Sequence, residues 1–516
     1  MIFATRQIQE KCVEQQMPLY IAFIDLTKAF DLVSRTGLFK ILNRIGCPDT
    51  LLNVITSYHR DMEGVISFDG DQSDPFPINN GVKQGCVLAP TLFGIFFSML
   101  LRFAFKDSSE GVYLHTRSDG SMFNLARLRA KTKRREVLIR ELLFADDAAL
   151  TSHTQEGLQT MLNSFSGACK EFGLTISIKK TQVMGLNIPA PPELYIDNQL
   201  LEAVDVFPYL GSIIAANSSL APEIKRRIAK ASSTLARLSK RVWDNKKLTT
   251  ETKMKVYQAC VLSTLLYGSE SWATYTVQEN CLETFHMGSL RRILGIKWQD
   301  KVTNIHVLEE SGMLSIHSHL IKRRLRWIGH VRRMQDGRIP KDVMFGQLKE
   351  GKRKRGRPKL RYTDVVKRDL HKVKVEHTKW ENEAADRKVW KSKCKEGIKL
   401  AESDRISYLK LKRAKRKAKE NEKETPLASY SCNRCDLSFS VQRHLTTHLS
   451  VSHKRKVDWG KSYQRQRPVK RVTWGPELNE PPLTNFKCPS CALVFTKQSM
   501  LTAHLHTTHK RGIDWG

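Results

Sequence analysis

Apolar and polar positions change period along the first two hundred residues, and each change marks an element. Leu19–Leu26 (LYIAFIDL) is a nearly continuous apolar run of strand length with a single acid, Asp25, near its end. Thr27–Ile45 places Phe30, Val33, Leu38, Ile41 and Leu42 at helical spacing and predicts a helix. The longest apolar run, Leu88–Leu101, is too short to span a bilayer and reads as a buried helix. In Glu141–Ser152 (ELLFADDAALTS), Leu142–Ala145 and Ala148–Leu150 are of short-strand length, so Asp146 and Asp147 fall on the tight turn of a hairpin. Pro222–Asp244 and Thr250–Leu266 return to mixed three and four spacing and predict two further helices.

Two adjacent like charges cost energy unless water or a cation neutralises them, so the Asp146–Asp147 pair is either a solvated hairpin tip or a metal site. Asp25 closing a strand is equally a helix cap or turn residue. Asn80–Pro90 (NGVKQGCVLAP) is a glycine-bearing loop entering a helix, which lets backbone approach a phosphate or base closely. Charge sharpens the partner class: 86 basic against 52 acidic residues leave +34, which calls for a polyanion, most simply nucleic acid. A disordered basic tail would also be basic, but 41% hydrophobic residues is too many for a mainly disordered chain. Of eleven cysteines, Cys432, Cys435, Cys488 and Cys491 form two close pairs and the rest are scattered, a reduced pattern with metal sites rather than a disulfide framework. Met1–Glu10 has charge where a signal peptide needs an apolar core, so neither a targeting nor a membrane segment is expected.

Taken in order, FIDLTKAFD (Phe23–Asp31), NGVKQGCVLAP and FADD (Phe144–Asp147) resemble three successive palm motifs of reverse transcriptases, in particular those of non-LTR retrotransposons. Gly173–Thr181 (GLTISIKKT) is similar to the lysine-bearing motif that follows, and Tyr209–Ser212 (YLGS) to the primer-grip hairpin. The resemblance implies Asp25 and Asp146 as Mg²⁺ ligands with Asp147 a ligand or support, for two ions that clamp an in-line displacement at phosphorus. It implies Phe30 closing the sugar pocket against a 2′-hydroxyl, core packing being compatible with that role, and Gln84 and Gly85 lining the template and nucleotide side. Lys180, with Lys179 as its rival, would protonate or stabilise departing pyrophosphate; both are otherwise surface charges. Ser177 stands where the family commonly has asparagine. The first acid arrives at position 25, so a full fingers region and an endonuclease domain do not fit before it. N-terminal truncation is therefore expected, with Arg6, Gln7 and Glu10 the tail of the fingers.

Downstream, His317–Met334 resembles a segment found after the polymerase in some of these retroelements, with Trp327 either core or base-stacking. Arg127–Arg140 is either a template contact or a solvated face. Gly351–Arg361 (GKRKRGRPKLR) resembles an AT-hook and also suits nuclear import or nonspecific charge, and Tyr408–Lys423 is a second basic stretch. An internal repeat follows: from Tyr430 and again from Phe486, Cys-x2-Cys-x12-His-x4-His supplies Cys432, Cys435, His448, His453 and Cys488, Cys491, His504, His509. Two thiolates and two imidazoles at this spacing are tetrahedral Zn²⁺ ligands, one ion per repeat, and some thirty residues need the metal to fold, worth on the order of 10 kcal/mol. The helix positions that would read bases, Val441, His444, Thr447 and Lys497, Met500, Ala503, lack the Arg and Asn anchors of tight readers.

The expected fold is therefore α+β: a right-hand polymerase palm with partial fingers over 1–215, a helical thumb and downstream region over 216–340, and a basic connector over 341–427. Two small ββα zinc fingers follow at 428–455 and 484–511. The expected function is an RNA-directed DNA polymerase of a non-LTR retrotransposon, adding deoxynucleoside triphosphates to a DNA primer on an RNA template. Residence is nuclear, or cytoplasmic as a ribonucleoprotein. The alternative is a truncated or co-opted remnant, catalytically inert, that binds nucleic acid through its fingers.

Overall fold

Leu19–Ile24 forms the central strand of a five-stranded sheet, antiparallel to Asp147–Ser152 on one side and to Gln182–Leu186 on the other. Glu141–Phe144 and Glu202–Ala203 make the edges. Successive strand residues point to opposite faces. Leu19, Ile21 and Phe23 enter one core with Phe3, Ile8, Met184 and Leu325, whereas Ala22 and Ile24 enter another with Phe93, Phe96, Leu158 and Phe165. Burial on both faces explains why this strand reads as an unbroken apolar run rather than an alternation. The chain is seen here in a computed structural model that describes residues 1–117, 121–124, 128, 132–353, 355–356, 359–421, 430–432, 434–439, 442–453, 486–487 and 494–495.

The mixed α+β architecture follows the expected pattern with local departures. The apolar run beginning at Leu88 is the helix Ala89–Phe105, started by Pro90 in its first turn, where the missing N–H costs nothing. With the helix Gln155–Glu171 it covers the second face of the sheet. The helix expected over 27–45 is confined to Arg35–Arg44. Its cap is Ser34, whose Oγ accepts from Gly37 N at 3.2 Å. The residues before it are used otherwise: Leu26–Thr27 pair with Thr175–Ile176, and Lys28 adopts a left-handed φ of 46°.

A third core gathers Leu220, Ile224, Trp243, Tyr257, Trp272, Leu282 and Leu290 from the helices Ala221–Arg237 and Thr276–Leu294 and the segments between them. The helix Ile316–Arg333 joins the cores: Ile316 and Leu320 enter the third, and Ile321, Leu325, Ile328 and Val331 enter the first. Trp327 belongs to this packing, edge-on to Phe3 with ring centres 5.4 Å apart. Gly329 is required by a close approach, since a Cβ there would lie 2.3 Å from Trp390 Nε1, which donates to Leu325 O at 2.9 Å.

The chain divides into two compact units, Met1–Lys417 and Ala418–Gly516. Residues 341–417, expected as part of a connector, are folded into the first: Val366, Leu370, Trp380 and Trp390 are buried in its core. The basic run at Gly351–Arg361 is also tied down, because Arg353 and Arg361 both pair with Glu14, at 3.1 and 3.0 Å. Arg357 and Pro358 of that run, and the 129–131 part of the Arg127–Arg140 stretch together with Arg127 itself, lie outside the described residues. Among the described residues no helix is long and apolar enough to cross a membrane.

The junction of the helices is polar as well as apolar. Arg324, 1% exposed, pairs with fully buried Asp369 at 2.6 Å. Glu279 accepts from Thr274 Oγ1 at 2.7 Å and Arg368 at 3.1 Å and pairs with His317 at 2.9 Å. Burial opposes its ionisation, but these hydrogen bonds and the Arg324 and Arg368 charges outweigh burial and hold its pKa at about 2. Removing one partner of a buried pair strands the other charge, so Arg324→Met is expected to destabilise the first unit by about 3–5 kcal/mol in urea unfolding.

Two buried histidines set a pH response. Burial lowers the pKa of His286 to about 3 and of His319 to about 4, and the His319 Nε2 has no hydrogen-bond partner among the described residues. A histidine depressed on folding leaves stability whole above its unfolded value of about 6.5 and erodes it as pH falls below that value. Unfolding free energy is expected to fall by about 1 kcal/mol per histidine between pH 6.5 and 5.5. His319→Leu should make that fall measurably shallower in urea titrations at the two pH values.

Candidate carboxylate site and Cys/His cluster

Pairing sets the geometry of the acids. Phe144 faces Asp147 across the edge hairpin, so the connection is the two residues Ala145 and Asp146. Asp146 thus sits in the turn, while Asp147 is the first residue of the next strand. Ala145 takes a left-handed φ of 54°, costing about 1 kcal/mol for a residue with a Cβ, and the buried strands on either side hold it there. On the other side, Ile24 pairs with Ala148, which brings Asp25, one residue on, beside Asp147. Acids separated by some 120 positions in sequence become neighbours through strand register alone.

The segment from Ser177 to Thr181 lies against the first acid. Ser177 N donates to Asp25 O at 2.8 Å, and Asp25 N donates to the buried Thr181 Oγ1 at 3.3 Å. The main chain of Ser177 makes this bond, so the absence of asparagine there does not undo it. Lys180 Nζ stands 3.5 Å from Asp25 Oδ2 with most of its side chain exposed. Asp147 is raised above the ordinary carboxyl range by burial and then by the charges of Asp146 and Asp25. Behind it, Tyr209 donates its hydroxyl to Leu142 O at 3.1 Å and is pushed upward by burial and by Asp147. Phe23 stacks on Phe207 at 4.1 Å and leans on Tyr209 at 5.2 Å.

The three carboxylates are neighbours but do not close into one ligand cluster. Among the described residues, the only set of three or more His, Cys, Asp or Glu ligand atoms lying within 4.8 Å of one another is a Cys/His group. Like charges repel, and Asp25 is shared with Lys180. The donors are nevertheless hard oxygens from two adjacent strand ends, which is the chemistry Mg²⁺ accepts.

The glycine loop is held against Phe30, five residues after Asp25. Phe30 stacks on Phe93 at 4.3 Å and its carbonyl accepts from Val82 N at 2.9 Å. Gly81 is obligatory, with φ 85° and a hypothetical Cβ 2.7 Å from Asp31 O. Gln84 and Gly85 are exposed at the loop tip. Sequence reading missed Arg35, which is buried and donates to the carbonyls of Gly81 at 2.9 Å, Asn80 at 3.1 Å, Ile78 at 2.7 Å and His59 at 2.8 Å. An arginine facing the buried side of a helix of otherwise apolar spacing was the available signal.

In the second unit Cys432, Cys435, His448 and His453 come together, with Cys435 Sγ 3.1 Å from His448 Nε2 and Cys432 Sγ 3.5 Å from His453 Nε2. Tyr430–Ser431 pair with Ser438–Phe439, and the helix Gln442–Ser452 brings in His448, with His453 just past its end. Burial resists ionisation of the Cys432 thiol, but the backbone N–H groups of Arg434 and Cys435 and the Cys435 side chain outweigh it and lower its pKa. A stabilised thiolate among imidazoles fits Zn²⁺. In the second repeat Phe486–Lys487 pair with Val494–Phe495, whereas Cys488, Cys491, His504 and His509 lie outside the described residues, as do Val441, Lys497, Met500 and Ala503. Cys432→Ser is expected to reduce tightly bound zinc by one ion per chain, as measured by metal analysis after dialysis against a weak chelator.

Comparison with known proteins gives matches in both units. Residues 2–214 match the model described as reverse transcriptase (RNA-dependent DNA polymerase), and 430–453 and 486–509 match the C2H2-type zinc finger. An uncharacterised transposon-derived protein of Caenorhabditis elegans is 31% identical over 262 residues, covering 48% of this chain and 92% of that one. The RNA-directed DNA polymerase from mobile element jockey of Drosophila melanogaster is 25% identical over 55% of this chain and 29% of its own length. The Pol polyprotein from the type-1 retrotransposable element R2 of Popillia japonica is 28% identical over 50% of this chain. This chain spans 34% of that polyprotein, so it corresponds to about a third of these two longer relatives. Among solved structures, the telomerase of Candida tropicalis with a telomeric RNA fragment aligns at TM-score 0.30 and 12% identity over 66% of this chain and 50% of that one, too weak a likeness to bear on the chemistry.

Proposed function

We propose, from the premise that this chain belongs to the reverse transcriptase (RNA-dependent DNA polymerase) family of transposon-derived proteins, that it extends a DNA primer on an RNA template. The observation that carries this reading is the strand register that sets Asp25 beside Asp147 and next to the Asp146 turn, with Lys180 alongside. Asp25, Asp146 and Asp147 would hold two Mg²⁺ ions, which when bound supply Lewis-acid stabilisation of the attacking and leaving oxygens. Lys180, beside Asp25, would give a proton to departing pyrophosphate. Phe30, fixed by Phe93, closes the sugar pocket, and the Gln84–Gly85 tip meets template and nucleotide. In this reading the five-stranded sheet is the palm and the helices from Ala221 are the thumb. The +34 charge supports an RNA–DNA partner and a nuclear residence.

A second reading has its own support: the Cys/His group is assembled as a ligand cluster while the carboxylates are not. A chain that binds nucleic acid through its fingers without polymerising would look the same there. Primer extension on an RNA template with Mg²⁺ separates the two. Asp146→Asn is expected to lower extension by about 100-fold or more while leaving template–primer binding in place. Binding without extension by the unaltered protein at any Mg²⁺ or Mn²⁺ concentration would leave only the second reading.

A further inference from the structure

The Tyr209–Ser212 turn is more strongly held than a surface hairpin needs to be. Leu210 and Gly211 both take left-handed φ, 47° and 75°, a conformation leucine rarely adopts. Both carbonyls of this strained pair are captured by the helical region that follows. Tyr267 Oη donates to Leu210 O at 3.0 Å, and the Arg227 guanidinium donates to Gly211 O. The same guanidinium lies 4.8 Å over the Tyr267 ring and pairs through Nε with Glu223 at 2.7 Å. Glu223, fully buried, in turn accepts from Ile213 N at 2.5 Å. From the opposite side Arg6 donates to Ser212 Oγ at 3.2 Å and Ile213 O at 2.7 Å.

The turn is also wired to the carboxylates. Its first residue, Tyr209, reaches Leu142 O in the strand that leads into the Ala145–Asp146 turn, and its ring leans on Phe23, two residues before Asp25. A shift of the turn would therefore be felt at the acids, and Arg227 and Tyr267 hold the carbonyls of its two left-handed residues while Arg6 and Glu223 hold its far end.

We infer that Arg227 and Tyr267 are positioning residues that lock the Tyr209–Ser212 turn at a set distance from the carboxylates, so that a primer 3′ end resting on the turn is presented to them. This rests on the polymerase reading for the identity of the ligand, a recessed 3′ end of a template–primer duplex. The clamp comes from residues outside the motif: one lies on the buried side of a basic helix, the other on an exposed ring.

The test uses the full chain and Tyr267→Phe, which removes only the hydroxyl of a half-exposed ring, with Tyr267→Ala removing the ring under Arg227 as well. Anisotropy measures affinity for a recessed-end RNA–DNA duplex against a single strand of equal length, with no chemistry required. Tyr267→Phe is expected to weaken duplex binding about 5-fold and Tyr267→Ala further, single-strand binding and thermal midpoint staying put. In single-nucleotide extension the same loss should appear in KM for template–primer more than in kcat, whereas Asp146→Asn shows the reverse. Unchanged preference for the recessed end in both variants would overturn the clamp, as would equal losses for both ligands with a lowered midpoint. If the unaltered protein binds the recessed end selectively but extends nothing, the polymerase reading fails, and the anisotropy comparison still decides the clamp.

Discussion

Everything at the carboxylate site depends on the register of one strand. Leu19–Ile24 is hydrogen-bonded on both sides, and a slip of one residue would exchange its two buried faces. Leu19, Ile21 and Phe23 are large and fill one core, while Ala22 on the other face leaves room for the helix Gln155–Glu171. Such a slip would place a large side chain where Ala22 fits against that helix, so packing enforces the register. The register in turn decides that Asp25 lies beside Asp147. The chemistry is thus secured by apolar residues that take no part in it.

Holding acids together in a partly buried place is work against charge. Asp147 is raised by burial first and then by the charges of Asp146 and Asp25. Lys180 offsets part of this at Asp25, and the rest is what a divalent cation would offset in the proposed reaction. The Cys/His group has an easier task, because a thiolate beside imidazoles does not meet a like charge. That contrast accounts for one cluster being closely packed and the other only brought side by side.

The helix Ile316–Arg333 changes how the later half of the chain is understood. Its sequence, with nine Lys, Arg and His residues among eighteen, reads as a basic surface. Glu279, Asp369 and Glu402 are buried acids beside it, Glu402 accepting from Ser318, and Arg324 is consumed by Asp369 and Glu279. The basic run around Gly351 is likewise partly neutralised by Glu14. Net charge is visible in composition, but which charges face a partner depends on who is buried opposite them.

Local rules determined a great deal by themselves: the apolar runs, the Asp146–Asp147 hairpin, the helix after Pro90, and the Cys and His spacing, because each depends on neighbours within a turn or a strand. The shortened helix at Arg35 escaped them, since Thr27 is claimed by a strand partner some 150 positions away. So did Arg35 itself, whose role is to hold three carbonyls of the Ile78–Gly81 loop and that of His59. Tyr267 and Arg227 were invisible for the same reason: nothing nearby in sequence marks them, and their meaning lies in the two carbonyls they hold. Sequence by itself determined which groups carry the chemistry, because bond-making needs particular residue types. Only the tertiary structure decided what holds those groups in place, because buried hydrogen bonds and register are made between segments that meet only when the chain is folded.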